Sequence, residues 1–316
     1  MRAVRFHDYS GLSGLRYEEA PKPVPRDNEV LIRVHAAGVN PFDRYAIEGY
    51  VNQYVQFQLP AVLGRDVSGV IEQVGADVRD FKIGDAVYGQ TDPISHGTFA
   101  DYTCMEDFRV AKKPEFLSHI EAASLPNVLL AAWDGLFSSE SGLNLQPGQT
   151  VLIHGAAGGI GSVAVQLAKW RGAIVIGTAS TANVAWLQEL NIAVALDYSS
   201  PDWQTKAGRV DGVLDTATGE MAEQLCALIK PGGAYVGLRG ALPAEFIEKQ
   251  KAASVRCATA SGPASIHEYP QMAAAVEQKV VKPLINAVYP MAQFHDALQR
   301  ITERHTRGKI VLQLIE

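Results

Sequence analysis

The segment Val151 to Gly161, VLIHGAAGGIG, restricts this chain more than any other. Its start, Val151 to Ile153, is an apolar run of strand length, and beyond it Ile160, Val163, Ala164, Leu167 and Ala168 recur at helical spacing. The glycines between them leave room for backbone to approach a bulky anion, and a helix that begins there offers its free N–H groups to that anion. Strand, glycine turn and amphipathic helix in this order form a dinucleotide-binding fingerprint. Cofactor contacts are therefore expected from Gly155, Ala156, Ala157, Gly158, Gly159, Ile160 and Gly161.

With 316 residues the chain is long enough for two domains, each with its own core. A hydrophobic share of 47% and a charged share of 20% suit a globular protein. No apolar run approaches the ~18 residues of a membrane span, and a strand-like run at Arg2 to Phe6 leaves no room for a signal peptide. The net charge of −6 disfavours a nucleic-acid surface. Cys104, Cys226 and Cys257 are too scattered for a disulfide framework or a cysteine-based zinc cluster, so the expected compartment is the reducing cytoplasm.

The first part of the chain reads as β-rich: Arg2 to Phe6, Leu15 to Glu19, Glu29 to Ala37, Val67 to Val74, Ala86 to Tyr88 and Phe99 to Cys104 are strand candidates. Pro21, Pro23 and Pro25 keep one connection extended. From about Ser124 strands alternate with helices. Val151 to Ile153, Ile174 to Ile176, Ala193 to Leu196, Gly212 to Leu214, Tyr235 to Leu238 and Ser254 to Ala258 are the strands, with helical patterns such as Asn183 to Leu190 and Glu220 to Ile229 between them. That alternation predicts a doubly wound parallel sheet of the Rossmann type. The Pro231-Gly232-Gly233 turn is expected to end one helix and launch the next strand. The expected division is a discontinuous first domain, 1–123 with 262–316, interrupted by a dinucleotide domain, 124–261.

Seven ordered segments resemble the medium-chain dehydrogenase/reductase superfamily, and within it the zinc-independent, zeta-crystallin-like quinone oxidoreductases. They are Ala37-Gly38-Val39-Asn40-Pro41-Phe42-Asp43, Gly64-Arg65-Asp66-Val67-Ser68-Gly69, Gly84-Asp85-Ala86-Val87-Tyr88-Gly89, Gly97-Thr98-Phe99-Ala100-Asp101-Tyr102, Ala122-Ala123-Ser124-Leu125-Pro126, the glycine turn itself (with Ile160 for the usual Val), and His305-Thr306-Arg307-Gly308-Lys309-Ile310-Val311-Leu312. The resemblance implies an α/β protein: a GroES-like β-rich catalytic domain, a Rossmann domain, a cleft between them, and a homodimer or homotetramer. It also assigns Lys309 to cofactor contact.

Alcohol dehydrogenases of that superfamily hold catalytic zinc with Cys and His. Here the Cys-bearing turn corresponds to Val39-Asn40-Pro41, and Gly-His-Glu becomes Gly64-Arg65-Asp66. Three converging ligands are missing from those positions, so no catalytic metal is expected. Hydride transfer then needs an acceptor that is already electrophilic, a quinone or a carbonyl-conjugated alkene, with orientation and a donor near the oxygen that gains charge. Asn40 and Tyr45 are the candidates, because they match polar positions lining the family's cleft, with Tyr50 a weaker one. Asn40 before Pro41 also reads as a helix N-cap. Arg65 and Asp66 read as a structural ion pair, and His154 as a core or cleft-lining histidine rather than a base.

An NAD-specific site places an acid at the end of the second strand, bonded to the ribose 2′-OH. This chain has Thr178 there, followed by Ser180 and Thr181, while Tyr198 falls where relatives put an aromatic. The lysine of many relatives is replaced by Val184. Missing acid favours NADPH, and the missing base weakens that preference. Thr216, in Asp215-Thr216-Ala217-Thr218-Gly219, and Gly237 and Leu238, in Gly237-Leu238-Arg239-Gly240, follow strand ends and are expected to meet the nicotinamide half. The expected function is an NADPH-dependent, zinc-free reductase of quinones or α,β-unsaturated carbonyl compounds. An alkenal reductase with incidental quinone activity and a non-catalytic NADPH-binding sensor are the alternatives. Val51 to Leu59 and Ala241 to Lys251 are expected to shape the substrate pocket.

Overall fold

A computed structural model describes residues 1–217, 219–238, 242–260, 263–302 and 307–315. The chain forms two compact units, one of Met1–Asn127, Tyr269–Ala273 and Pro283–Glu316, the other of Val128–Glu268 and Ala274–Lys282. The chain thus returns to its first unit for good at Pro283 rather than near residue 262. Part of the reason is a reciprocal bond pair that ties Lys282 to the second unit: its N–H donates to Gln166 Oε1 (2.8 Å), and Gln166 Nε2 donates back to its carbonyl (3.1 Å).

The first unit opens with β1 (Arg2–Phe6), β2 (Leu15–Glu19) and β3 (Glu29–Val39), then α1 (Pro41–Ile47), β4 (Ala61–Val62), β5 (Asp66–Val74), β6 (Ala86–Gln90), β7 (Tyr102–Glu106), β8 (Val110–Lys112) and α2 (His119–Ala123). A small sheet runs β2-β1-β4. In the large sheet β3 is the spine, pairing with β5 along most of its length and with β7 over its first half. Val30, Ile32 and Val34 enter the core on even positions, whereas Ala37 and Val39 enter on odd ones. A register shift between Val34 and Ala36 causes the change, because one extra residue reverses which side chains face inward. The strand expected at Phe99 to Cys104 begins only at Tyr102; before it, Ala100 makes one isolated bridge to Ala3.

The second unit takes in most of α3 (Pro126–Phe137), then β9 (Thr150–His154), α4 (Gly159–Trp170), β10 (Ile174–Ala179), α5 (Thr181–Glu189), β11 (Val194–Asp197), α6 (Trp203–Ala207), β12 (Val210–Asp215), α7 (Ala222–Cys226), β13 (Ile229–Gly237), α8 (Ala244–Ala252) and β14 (Arg256–Thr259). Its six strands are all parallel in the order β11-β10-β9-β12-β13-β14. Strand order reverses between β9 and β12, so the crevice beyond their carboxyl ends is the place where such sheets take ligands. Pairing of β13 already begins at Ile229, and Pro231-Gly232-Gly233 lies within an irregularity of that strand rather than before it. The expected helix over Glu220 to Ile229 shortens accordingly to Ala222–Cys226. The chain ends with α9 (Tyr269–Glu277), β15 (Ile285–Pro290), α10 (Phe294–Arg300) and β16 (Lys309–Gln313), and β16 adds to β3 antiparallel.

His119, the first residue of α2, lies stacked on His35 with ring centroids 4.3 Å apart. Ser68 Oγ donates to the Val87 carbonyl (2.8 Å), so it accepts from His119 Nδ1 (2.8 Å), while His35 Nε2 is buried without a partner among the described residues. Burial, with His35 beside it, pulls the His119 imidazole down to about 4. An unfolded histidine titrates near 6.5, so between those values the unfolded chain binds the extra proton. This contribution to stability is intact above about pH 6.5 and is lost as pH falls toward 4. Discounted for partial exposure it amounts to about 1–2 kcal/mol. The urea midpoint of the wild type should therefore drop more between about pH 7.5 and about pH 5 than that of His119→Asn; equal drops would contradict this account.

Candidate active site

The glycine turn closes onto itself. Gly155 has φ +74°, a conformation that favours glycine. A Cβ on Gly161 would be driven into the Gly155 carbonyl oxygen, so the third glycine permits the helix to pack against the strand end. Ala156 N–H donates to the Thr178 carbonyl (2.9 Å) and Gly158 N–H to the Gly155 carbonyl (2.9 Å). Gly158 is the N-cap of α4. The N–H groups of Gly159, Ile160 and Gly161 belong to the first helical turn, which has no carbonyl of its own to offer them. An anion at this end meets backbone donors and the positive end of the helix dipole.

At the end of β10 the geometry differs from a simple row of hydroxyls. Thr178 is fully buried, and its Oγ1 is bonded to His154 Nδ1 (2.7 Å). Burial lowers the pKa of His154, which stands edge-on to Tyr198 at 5.7 Å. Ser180 is the N-cap position of α5, and its Oγ accepts from Asn183 Nδ2 (3.2 Å). Thr181 Oγ1 donates to Asp197 Oδ2 (2.6 Å), and Ser199 donates to Asp197 Oδ1 from both Oγ (2.6 Å) and N–H (2.8 Å). Asp197 is thus a carboxylate held by two hydroxyls at the end of the neighbouring strand β11, opposite Ala179. Sequence spacing pointed to position 178 and passed over it, because a residue on the next strand becomes a neighbour only through parallel pairing.

The loops after β12 and β13 are tied down. Thr216 Oγ1 donates to the carbonyls of His154 (2.8 Å) and Gly155 (3.2 Å). Leu238 N–H donates to the Asp215 carbonyl (3.1 Å), and the Gly237 carbonyl accepts from Ala260 N–H (3.0 Å). Asp215 is buried and accepts from Tyr235 Oη (2.8 Å) and Ala217 N–H (2.9 Å). Thr218, Arg239 and Gly240, named with these loops, lie outside the described residues, as do Ala241, Gly262, His305 and Thr306.

In the first unit a buried polar knot forms around Asp66, the first residue of β5. Lys309 Nζ donates to Asn40 Oδ1 (2.5 Å) and the Val39 carbonyl (2.9 Å), and lies 3.3 Å from Asp66 Oδ2. Asn40 Nδ2 donates to the same Asp66 oxygen (3.0 Å). The other oxygen accepts from Asn127 N–H (3.0 Å) and Gln90 Nε2 (3.3 Å). The expected Arg65–Asp66 pair is replaced by Lys309–Asp66. The Arg65 guanidinium instead reaches Gln90 Oε1 (3.2 Å) and lies over the Phe42 ring, with the Gln90 amide bridging it to Asp66. Asn40 precedes α1 with Pro41 at its first position, yet its amide is spent on Asp66 and Lys309. It is the Asp43 carboxylate that caps, accepting from Asn40 N–H (2.7 Å). Burial raises that carboxyl to about 7, against the pull of the Asn40 N–H and with the charge of Asp66 adding to the rise. The acid three residues after Asn40 was a readable capping signal; Gln90 and Asn127 carried none. Tyr45 is 40% exposed on α1, its ring edge-on to Tyr50 at 6.3 Å.

Comparison with known proteins agrees with this two-part build. The family profile described as alcohol dehydrogenase GroES-like domain matches residues 26–115, and that described as zinc-binding dehydrogenase matches residues 190–312. An NADPH-dependent alkenal/one oxidoreductase of Arabidopsis thaliana chloroplasts is 31% identical, covering 99% of this chain and 79% of that protein. A quinone oxidoreductase of Pongo abelii is 30% identical over 99% of this chain and 98% of its own. The solved quinone oxidoreductase of Coxiella burnetii superposes with a TM-score of 0.87 at 30% identity, covering 99% of each chain.

Removing one partner of a buried ion pair strands the other charge. Lys309→Met is expected to cost about 3–5 kcal/mol by urea unfolding, and adding Asp66→Asn to the same chain should restore more than half of it. A single variant within about 0.5 kcal/mol of wild type would show that the knot is not held by this pair.

Proposed function

We propose that this chain, which belongs to the quinone oxidoreductase family of the medium-chain dehydrogenase/reductase superfamily, reduces quinones or α,β-unsaturated carbonyl compounds with NADPH. Arg65 carries the reading. It occupies the position where the alcohol dehydrogenases present a histidine to zinc, and a guanidinium has no lone pair to give a metal. Without a Lewis acid there, the substrate must itself be electrophilic, as a quinone or enone is. The first-turn amides of α4 receive the cofactor's pyrophosphate, and Thr216, Gly237 and Leu238 border the nicotinamide half.

When bound, the reduced nicotinamide supplies a hydride to the electrophilic carbon. The residues of the chain orient and stabilise. Asn40 cannot rotate its amide, since Lys309 only donates and Asp66 only accepts. We assign Asn40 and Lys309 to cofactor contact and Tyr45 to a hydrogen bond with the substrate oxygen as it gains charge. The protein is expected to act as a homodimer or homotetramer in the cytoplasm.

Asp197 favours a second reading of the cofactor. A carboxylate at the ribose corner accepts a 2′-OH and repels a 2′-phosphate. Against it stand the hydroxyls of Thr181 and Ser199, which serve a phosphate equally well, and the NADPH named for the Arabidopsis relative.

Two measurements test these assignments. The purified chain with NADPH should reduce members of a quinone and alkenal panel, and Tyr45→Phe should lower kcat/KM by about 10²-fold. Tight cofactor binding without turnover on any member would favour the sensor alternative, and comparing a small quinone with an alkenal separates the two reductase readings. For the cofactor, Asp197→Asn should raise kcat/KM for NADPH about tenfold relative to NADH, because the carboxylate that repels a 2′-phosphate is removed. An unchanged NADPH/NADH ratio would remove Asp197 from the ribose corner.

A further inference from the structure

Outside the polar knot, a second set of chemistry-bearing side chains meets in the first unit: Glu29, His96 and Cys104. Their ligand atoms, a carboxylate oxygen, an imidazole nitrogen and Sγ, all lie within 4.8 Å of one another. Sheet register brings two of them together. Glu29 pairs with Glu106 and Leu31 with Cys104 across the antiparallel β3–β7 ladder, so Glu29 and Cys104 are diagonal neighbours on one face. The loop between β6 and β7 delivers His96.

None of the three is well served by protein alone. Glu29 is 2% exposed, yet among the described residues its carboxylate accepts one hydrogen bond, from Arg26 N–H (2.9 Å), with the exposed Arg26 guanidinium 4.0 Å away. The His96 ring has no hydrogen-bond partner among the described residues, although its carbonyl accepts from Thr103 Oγ1 (3.3 Å). Cys104 is completely buried, and burial next to the Glu29 charge pushes its thiol up to about 12. A buried acid beside a thiol and an imidazole is a poor solution for packing and a good one for a cation.

We infer that Glu29, His96 and Cys104 form a zinc-binding site that clips the β6–β7 loop to the β3–β7 ladder. Oxygen, nitrogen and sulfur donors together suit zinc, whose tetrahedral ligands sit roughly 3.5 Å apart; the observed spread asks for a contraction of about 1 Å. Three protein ligands leave a fourth position for water. His96 and Gly97 also line a cavity of about 210 Å³ with Met1, Ala61, Val62 and Tyr102. On binding, the Cys104 thiol loses its proton to solvent as the sulfur–zinc bond forms, so one proton is released per ion, with no change of oxidation state. The site is separate from residues 39–40 and 64–66, where the alcohol dehydrogenases hold catalytic zinc, and does not depend on the hydride chemistry proposed above.

The test uses the full chain, stripped with a chelator and titrated with Zn²⁺ against a chromogenic competitor, with a parallel titration in weakly buffered solution. Expected are one zinc per chain, about one proton released per zinc at neutral pH, and a thermal upshift on zinc addition. Cobalt(II) should give a near-ultraviolet thiolate charge-transfer band that Cys104→Ser abolishes. His96→Gln, a change in a half-buried loop residue, should weaken zinc binding at least tenfold and keeps the test decisive if Cys104→Ser fails to fold. Absence of saturable binding overturns the site. So does binding whose affinity is the same in His96→Gln and Glu29→Gln as in the wild type, which would mark adventitious uptake by other side chains.

Discussion

A carboxylate sealed from water must have its lone pairs filled, and the first unit is organised around that demand at Asp66. Its partners come from four places: Asn40 at the β3–α1 corner, Gln90 at the end of β6, the Asn127 amide in α3, and Lys309 on the last strand. Lys309 is itself buried, so neither charge tolerates loss of the other. Packing alone would let β16 slide against β3, since Ile310 and Leu312 would meet apolar neighbours in several registers. A single ammonium that must reach both Asn40 and Asp66 permits one register, Ile310 against Val39. The knot therefore sets strand pairing and amide orientation together.

The second unit depends on the opposite device, the absence of side chains. Gly155 and Gly161 come so close that no Cβ fits between them, and this contact holds α4 against the end of β9 with its first N–H groups turned outward. His154 on β9 and Thr178 on its neighbour β10 satisfy each other at the strand ends before the turn. That bond occupies the Thr178 hydroxyl, while Thr181, Ser199 and Asp197 bond to one another further along. In the cofactor reading proposed above, that acid and those hydroxyls together set the preference.

Residues close in the chain were read well. The glycine turn and the Asn40-Pro41 helix start are local, and local chemistry suffices to predict them. The six parallel strands followed from alternation of short apolar runs with helical spacing. Less was legible where one segment's conformation answers to another. β13 starts two residues before Pro231 because the edge of β12 is there to receive it. The core face of β3 changes parity at a bulge that no hydrophobic pattern announces.

What the amino-acid order determined by itself was the strand–glycine–helix unit and the alternating architecture, both resting on steric properties of residues within one turn or strand. Resemblance to the alcohol dehydrogenases added that Arg65 stands where they place a histidine. Only the tertiary structure decided which charges meet. Asp66 paired with Lys309, 243 positions away, rather than with Arg65 beside it, because β16 carries the ammonium to Asp66 while the Gln90 amide stands between Asp66 and the guanidinium. Asp197 came beside Thr181, and Glu29 beside Cys104, through the pairing of strands. Electrostatic partnership depends on distance in space, and strand register sets that distance between residues far apart in the chain.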